Sequence, residues 1–269
     1  MNKSNMDEQI AGARAYEALH VPALFKQWCP RVLDAAGVAS GDRVLDVACG
    51  TGVLAREAMI RVGPAGSVAG VDLGHGMIAV AKELAPGIEW QECAAESLPF
   101  PDRSFDAVVS QFGLMFFADR SQALREMVRV LKPGARLAVA VWDSLDRSEA
   151  YPEEVQLLQR LAGKEAADAL RAPFVLGDKD ELIALFEASG VKSVGVETYT
   201  GPARFPGVRT MIEADLRGWL PVMGVVLQEA QIDGILDEAE EVLAEYVSAD
   251  GMVVFNSSAH IVTGEAGGI

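Results

Sequence analysis

Residues 44–52 of the chain read VLDVACGTG, an apolar run interrupted by one acid and closed by two glycines. The run is typical of a buried strand that ends in a tight turn, because glycine permits the backbone conformations and the close ligand approach that such turns require. Residues 53–61 follow with a helical pattern. A helix at this place directs its free N–H groups toward the turn, so the unit predicts a ligand site at the carboxyl end of the strand.

The alternation of short apolar strands and helices continues to residue 142. Strands are predicted at residues 43–48, 67–73, 88–92, 105–110 and 136–142, and helices at residues 53–61, 77–84 and 121–131. Turns are predicted at residues 74–76 and 132–134, where glycine and proline interrupt the pattern. This alternation predicts an α/β fold with a doubly wound, Rossmann-like and mostly parallel sheet that helices cover on both faces.

The pattern changes on either side of these units. Residues 1–40 read as helical, with breaks at Pro22 and Pro30, and predict an N-terminal helical lid. Beyond residue 143, helices are predicted at residues 151–170, 179–189, 208–220 and 232–247, and strands at residues 191–198 and 252–262. We therefore expect one domain over residues 41–269, with an antiparallel last strand and helical cap insertions at about 151–171 and 205–247.

The composition of the chain indicates which classes of binding partner it can have. The 269 residues include 23 basic and 39 acidic side chains, so the formal net charge is −16. Such a charge repels phosphate backbones and anionic membranes, so we expect no nucleic acid and no membrane as partner. The three cysteines form no CxxC pair, and no metal site is predicted. Without a signal-peptide pattern or a membrane-length apolar run, the sequence favours a cytoplasmic protein, monomer or homodimer, that binds a small molecule.

Two acids flank the glycine turn and indicate the kind of ligand. Asp72 ends the next predicted strand, where an acid accepts hydrogen bonds from the hydroxyls of a ribose. Asp46 lies four residues before Gly50, and a carboxylate beside a pyrophosphate costs several kcal/mol by order of magnitude. The same carboxylate suits a cationic adenosine compound without phosphate. S-adenosylmethionine has this chemistry, since its sulfonium and α-ammonium groups are both cationic.

At these residues the chain resembles the class I S-adenosylmethionine-dependent methyltransferases, and most of all the small-molecule group that includes the quinone-biosynthesis C-methyltransferases. Several segments are similar to motifs of that family, in its order and spacing: residues 46–52, 70–72, 95–100, 105–111 and 131–135. The resemblance covers residues 40 to 142 well and the rest of the chain poorly. It implies S-adenosylmethionine as cofactor and S-adenosylhomocysteine as product.

The turn, the two acids and the resemblance together give a predicted cofactor site. Its members are Asp46, Gly50, Thr51, Gly52, Asp72, Leu73, Met77, Ala95, Glu96, Gln111 and Phe112. One position departs from the family, because Ala94 stands where many relatives carry an aspartate that bonds the adenine amino group. Adenine recognition is then expected to rest on the backbone at Ala95, on Glu96 or on packing.

Methyl transfer from a sulfonium is a nucleophilic displacement, in which the protein mainly aligns the reactants and excludes water. An alcohol, phenol or carbon acid also needs a general base. The histidines are the candidates for that base: His20, His75 and His260. The candidates for the substrate side are Tyr16, Phe25 and Trp142. The sequence leaves open the acceptor and the atom that is methylated.

Two other functions compete with a methyltransferase. An NAD-dependent oxidoreductase predicts a glycine where the chain has Ala55, no carboxylate at Asp46, and a proton donor of the Tyr/Lys or His kind that is not evident here. A non-catalytic protein that binds S-adenosylmethionine or a nucleoside uses the same pocket, with the cap as a partner surface. An assay for S-adenosylhomocysteine over a panel of acceptors separates this protein from an enzyme.

Overall fold

The computed structural model describes residues 3–267, with side chains from residue 6 onward, so the first and last residues of the predicted lid and domain lie outside it. Within this part the chain forms a seven-stranded sheet in the order β3-β2-β1-β4-β5-β7-β6. The strands are β1 Arg43–Val47, β2 Ser67–Asp72, β3 Glu89–Glu92, β4 Phe105–Gln111, β5 Leu131–Trp142, β6 Val191–Phe205 and β7 Val253–Ala266.

The predicted fold class is confirmed. The first five strands pair in parallel, and β7 runs antiparallel to both β5 and β6. The α-helices are α1 Lys3–His20, α2 Cys29–Ala35, α3 Val53–Val62, α4 His75–Leu84, α5 Arg120–Val130, α6 Tyr151–Leu161, α7 Lys164–Arg171, α8 Lys179–Ala188, α9 Val208–Glu213, α10 Leu220–Val222 and α11 Glu229–Val242. A π-helical segment, Ala214–Trp219, joins α9 to α10.

The core is centred on β1, which has β2 on one side and β4 on the other. Four of its five residues are buried, as expected for a parallel strand that is covered on both faces. Within β1, Asp46 is paired with Gly70 of β2 and with Val109 of β4. The strand order reverses at β1, and open α/β sheets bind their ligands at such a switch point, beyond the carboxyl ends of the strands.

The N-terminal helices differ from the prediction at the two prolines. Pro22 lies in a π-helical turn, Val21–Phe25, and Pro30 is the second residue of α2. The helical path is therefore continued in short segments, because a proline near the first turn of a segment removes an N–H that would have no partner there. Helix α1 then packs on α4, where the backbone oxygen of Gln9 lies 2.3 Å from the position a Cβ would take on Gly76.

Several predicted boundaries were wrong. The helix predicted at residues 151–170 is two helices, because Gly163 has a left-handed φ of +90° between them. The turn predicted at residues 132–134 belongs to the extended strand β5, and α4 begins at His75 rather than at residue 77. Strand β6 extends to Phe205, and β7 runs to Ala266. The antiparallel pairing of these two long strands extends each beyond its apolar run.

Candidate functional site

The glycine turn after β1 is held in an unusual backbone conformation. Gly50 and Gly52 have φ values of +54° and +86°, and Ala48 has +57°. At β4, the next strand of the sheet, Phe112 also has a φ of +57°. Positive φ is uncommon for non-glycine residues and costs of the order of 1–3 kcal/mol, and such residues cluster at functional sites. Ala48 and Phe112 place such strain at the facing ends of β1 and β4, while the other described non-glycine residues with positive φ, Arg103 and Ser193, lie elsewhere.

Asp72 joins the two loops that the sequence places side by side. Its Oδ2 accepts a hydrogen bond from the N–H of Gly50 at 2.8 Å, and its Oδ1 accepts one from the N–H of Gly74 at 2.7 Å. Burial raises the pKa of this carboxyl, and the two backbone donors counteract part of the shift. Each carboxylate oxygen keeps a further lone pair, so Asp72 can still accept hydrogen bonds from a bound ligand.

Asp46 is a buried acid without compensation. The residue is 1% exposed, and neither carboxylate oxygen has a hydrogen-bond partner within the described residues. Loss of hydration raises the pKa of Asp46 well above its ordinary value, and the nearby N–H of Ala55 offsets only part of this without closing a hydrogen bond of normal geometry. A buried carboxyl in this condition is costly unless a ligand supplies a donor or a positive charge.

Other polar atoms near the switch point share this lack of partners. The buried side-chain atoms concerned are Ser110 Oγ, Gln111 Oε1 and Trp28 Nε1. The amide nitrogen of Gln111 donates to the backbone oxygen of Phe25 at 3.1 Å, which links the end of β4 to the N-terminal segment. One acceptor, one donor and one hydroxyl that can donate or accept are thus collected around the end of β4, where a ligand at the switch point would meet them.

The N-terminal lid is tied to the glycine turn. Thr51 Oγ1 donates to Glu17 Oε2 at 2.5 Å, and Arg56 donates to the other oxygen of Glu17 at 2.6 Å. Arg56 also donates to the backbone oxygen of Thr51 at 2.6 Å. The Thr51 hydroxyl, predicted to contact the cofactor, is therefore engaged within the chain. Tyr16, the residue before Glu17 on α1, lies over the turn, with its ring 3.9 Å from the position a Cβ would take on Gly50.

Aromatic rings gather beside the ends of β4 and β5. Phe112 stacks on Trp142 with centroids 3.9 Å apart and an interplanar angle of 14°. Phe25 contacts both rings, at centroid distances of 5.6 and 6.2 Å, and Tyr16 lies 5.4 Å from Phe25. The structure thus brings together the three predicted substrate-side residues and Phe112. We call the set of Tyr16, Phe25, Trp28, Phe112 and Trp142 the aromatic cluster.

The remaining predicted cofactor residues surround the second loop. Met77 packs against Gly74, since its Cγ lies 3.2 Å from the Cβ position of that glycine. Leu73 is 71% exposed beside Asp72, and Ala95 is buried. Glu96 has a partner within the chain, because its carboxylate accepts a hydrogen bond from the N–H of Asp119 at 3.1 Å.

The three histidines occupy different environments. His75 Nδ1 lies 2.9 Å from Glu92 Oε2 beside the second loop. Both ring nitrogens of His260 have partners, Thr198 Oγ1 at 2.9 Å and the backbone oxygen of Gly177 at 3.0 Å, so this buried ring has no free nitrogen to accept a proton. His20 stacks on Tyr16 with centroids 5.6 Å apart, next to the aromatic cluster.

Sequence reasoning missed three residues that shape this site. Glu17 holds the glycine turn, Trp28 adds a ring to the aromatic cluster, and Trp90 covers the turn from β3. A Cβ on Gly52 would lie 2.3 Å from the Trp90 ring, and one on Gly70 would lie equally close. Glycines at both positions were a usable signal, since paired glycines on neighbouring elements often indicate a large side chain packed between them.

The strand order, the antiparallel β7 and the site at the switch point define the class I methyltransferase fold. A methyltransferase-domain family model matches residues 45–139. The ubiquinone/menaquinone biosynthesis C-methyltransferase UbiE of Cronobacter sakazakii is 32% identical over 197 residues, which cover 66% of this chain and 77% of that protein. The chain therefore belongs to this family of S-adenosylmethionine-dependent methyltransferases.

A second relative in sequence and a solved structure are also similar to this chain. UbiE of Pseudomonas entomophila is 39% identical over 150 residues, a match that spans 52% of this chain and 59% of that enzyme. Among solved structures, phosphoethanolamine N-methyltransferase 2 of Haemonchus contortus, in complex with phosphomonomethylethanolamine and S-adenosylhomocysteine, aligns with a TM-score of 0.60 and 21% identity, over 96% of this chain and 58% of that one.

Residues 3–267 lack two structural features. No helix there is long and apolar enough to cross a membrane. The same residues hold no group of three or more His, Cys, Asp or Glu side chains placed to bind a metal ion.

Proposed function

We propose that this protein transfers the methyl group of S-adenosylmethionine by in-line displacement to a small, apolar, aromatic acceptor of the hydroquinone or phenol kind. The observation that carries the proposal is the buried carboxyl of Asp46, which has no donor in the described chain and lies at the switch point. A cationic ligand compensates this charge, whereas a pyrophosphate opposes it.

The residues at the switch point fit the cofactor. When bound, S-adenosylmethionine supplies a methyl group on a cationic sulfur, which is a good leaving group. Asp46 would face the cationic end, and the lone pairs that remain on Asp72 would accept hydrogen bonds from the ribose. Leu73 and Met77 offer apolar surface to the adenine beside Asp72. Glu17 and Tyr16 hold the lid over the turn and exclude water.

The aromatic cluster supports an aromatic acceptor. Ring stacking favours a flat electron-rich ring, and offset stacked pairs contribute about 0.5–1.5 kcal/mol beyond the area that they bury. The relatives named above are C-methyltransferases of ubiquinone and menaquinone biosynthesis, and both of these products contain a quinone ring. The cluster lies at the ends of β4 and β5, next to Tyr16 on the lid, so an acceptor seated there would approach the glycine turn from the side of the lid.

Calorimetric titration tests the cofactor site. We expect binding of S-adenosylmethionine and S-adenosylhomocysteine and none of NAD. Asp72→Asn removes one of the two carboxylate oxygens that accept hydrogen bonds from Gly50 and Gly74. The variant should bind the cofactor much more weakly, since each lost hydrogen bond to a charged group costs about 1.5–3 kcal/mol. Asp106→Asn is the matched control, because Asp106 binds Arg43 and Lys132 at the opposite end of β4. Binding of NAD, or equal affinities in the two variants, would refute the site.

A turnover assay tests the reaction. Formation of S-adenosylhomocysteine is followed with 1,4-naphthohydroquinone, catechol and simple phenols as acceptors. We expect turnover with at least one of them, and product mass raised by one methyl group. Binding of the cofactor without turnover over this panel would favour the non-catalytic alternative.

A further inference from the structure

Beside the aromatic cluster, the cap encloses a pair of acids that the methyl-transfer site does not use. Glu154 of α6 is fully buried and Asp215 of the π-helical segment is 5% exposed. The two carboxyl groups are close enough for the charge of Asp215 to act on Glu154. Neither oxygen of Glu154 has a hydrogen-bond partner within residues 6–267, and the same holds for Asp215 Oδ2.

The pair binds one proton. Two adjacent carboxyl groups in a buried site cannot both ionise, because their repulsion adds to the loss of hydration. Burial, followed by the charge of Asp215, raises the pKa of Glu154 well above its ordinary range. We therefore assign the proton of the pair to Glu154.

His20 connects this charge to the site. Its Nε2 lies 3.7 Å from Asp215 Oδ1, and its side chain is 14% exposed. Its Nδ1 is buried and has no hydrogen-bond partner among the described residues. The imidazole stacks on Tyr16, the residue that covers Gly50, and meets the ring of Phe205 edge-on at 6.3 Å. His20 thus lies one ring away from the glycine turn.

The carboxylate selects the tautomer of the ring. A neutral imidazole has one N–H and one free lone pair, and the N–H points to the acceptor that fixes it. Asp215 Oδ1 lies 3.7 Å from Nε2, beyond hydrogen-bond distance, and its proximity favours the tautomer with the proton on Nε2 and the lone pair on Nδ1. A carboxylate that orients an imidazole in this way also stabilises the imidazolium that forms when the free nitrogen takes up a proton.

We propose that His20 is the general base of the methyl transfer, with Asp215 and Glu154 as the positioning residues behind it. The acceptor gives its proton to Nδ1 of His20 while the new bond joins the acceptor atom to the methyl carbon. The bond between that carbon and sulfur breaks, and its electron pair stays on sulfur. Asp215 neutralises the imidazolium, and the protonated Glu154 adds no second negative charge beside it. This inference rests on the proposed function.

Other ionisable groups near His20 do not take its role. Tyr16 stacks on the ring and Tyr151 lies near the acid pair, and burial raises the pKa of both phenols, so both stay neutral at physiological pH. Glu17, the next acid on α1, is engaged by Thr51 and Arg56. Nδ1 of His20 is therefore a ring nitrogen without a partner among the described residues, next to the Tyr16 ring.

We call Glu154, Asp215 and His20 together the relay. Nitrogen NMR of the protein with bound S-adenosylhomocysteine tests it without a methyl acceptor. The sequence has three histidines, so a His20→Gln spectrum assigns the ring by subtraction. We expect the Nε2–H tautomer in the wild type and in Glu154→Gln, whose neutral amide replaces the protonated carboxyl. We expect loss of that preference in Asp215→Asn. The exposed Asp233→Asn of α11 is the matched control. An Nδ1–H tautomer, or one that Asp215→Asn does not change, would overturn the relay.

Two methyl acceptors that differ in ionisation test whether His20 acts as the general base. With 1,4-naphthohydroquinone, which must lose a proton, His20→Gln is expected to lower kcat about 100-fold, the usual contribution of a positioned base. With thiophenolate at pH 8, which is already ionised, the loss of kcat in the same variant should be at least tenfold smaller, because no proton has to be removed. Equal losses with both acceptors would mean that His20 acts on packing and not on the proton. Failure of cofactor binding in the wild type, by contrast, would refute the proposed function itself.

Discussion

The carboxylate of Glu17 accepts a hydrogen bond from the hydroxyl of Thr51 at 2.5 Å, and through it the N-terminal helix is attached to the glycine turn. Arg56 binds the other oxygen of Glu17, and both charged side chains are mostly buried, at 24% and 21% exposure. An ion pair in such surroundings is screened much less than one at the surface. The lid and the turn therefore move together, and release of one requires release of the other.

Replacement of Glu17 by alanine should loosen the lid. The change removes two hydrogen bonds to a charged group, each of which is worth about 1.5–3 kcal/mol, while the core of the sheet is untouched. We expect faster amide hydrogen exchange over α1 and earlier proteolysis there, with little change in the central strands. Hydrogen-exchange mass spectrometry measures this directly.

The chain offers a matched control on the same interface. Glu83 of α4 pairs with Arg14 of α1, but both side chains are more than half exposed. Exposed pairs contribute about 0–1 kcal/mol, so Glu83→Ala should leave the exchange of α1 nearly unchanged. Equal effects of the two substitutions would mean that general packing, and not the contact with Thr51, holds the lid.

Asp46→Asn should stabilise the free protein while it weakens cofactor binding. The raised pKa means that folded Asp46 binds a proton more tightly than the unfolded chain, whose ordinary aspartate pKa is 3.8. Its contribution to stability is thus present at low pH and is lost as pH rises from about 4 through the folded pKa. Asparagine does not ionise, so the variant should gain about 1–2 kcal/mol at pH 8 and little at pH 4.

Urea unfolding at several pH values checks this prediction. The quantity of interest is the difference in free energy of unfolding between variant and wild type, which should grow with pH. Calorimetry in parallel should show weaker binding of S-adenosylmethionine by the more stable variant. If Asp46→Asn is less stable than the wild type at pH 8, then a group of the free protein already compensates the buried charge of Asp46.

The sheet and the central site were predictable because they depend on local signals. The run from Val44 to Gly52 specifies a buried strand and a turn, and the pattern repeats with Asp72 one unit later. In a parallel sheet, consecutive units place their carboxyl ends at one edge, so Asp46 and Asp72 had to lie near each other. The bridge from Asp72 to Gly50 and Gly74 follows from this placement.

The contacts between distant segments could not be predicted in this way. Glu154 and Asp215 lie 61 residues apart on separate helices, and nothing in the local pattern of either shows that both face inward. Glu17 reads as one more acid on an amphipathic helix. Its role depends on how α1 packs against α4 and the glycine turn, which tertiary packing decides. The local sequence pattern predicts the helices and strands. The site is completed only when the lid and the cap pack onto the sheet, which that pattern does not predict.

Gly70→Ala should lower the free energy of unfolding because the new methyl group would meet the indole ring of Trp90. The added Cβ would lie 2.3 Å from the ring of Trp90, and Trp90 is itself held by a hydrogen bond from Nε1 to the backbone oxygen of Ala85 at 2.9 Å. Overpacking of this kind typically costs about 1–3 kcal/mol. Gly70 has an ordinary φ, so the cost comes from contact and not from backbone strain.

A double-mutant cycle isolates that contact. Trp90→Val also destabilises, but it removes the ring that the new methyl group meets. The double variant should therefore be more stable than the sum of the single changes predicts, with a coupling of about 0.5–3 kcal/mol between the neighbours. Additive effects would mean that Gly70 is required for another reason, such as the 3.1 Å approach of Cys49 Sγ.

A substitution of Trp142 distinguishes the proposed acceptor site from the proposed cofactor site. Its ring stacks on Phe112 at 3.9 Å and contacts Phe25, while Asp46 and Asp72 are held by other elements. Trp142→Leu removes the aromatic face but keeps an apolar side chain, so we expect the KM for 1,4-naphthohydroquinone to rise roughly tenfold, the effect of about 1.4 kcal/mol. The Kd for S-adenosylhomocysteine should stay the same, and Trp142→Phe should restore most of the acceptor affinity. A weaker Kd with an unchanged KM would place Phe112 and its partners against the adenosine, as the sequence alone predicted for Phe112, and would move the acceptor to another part of the cap.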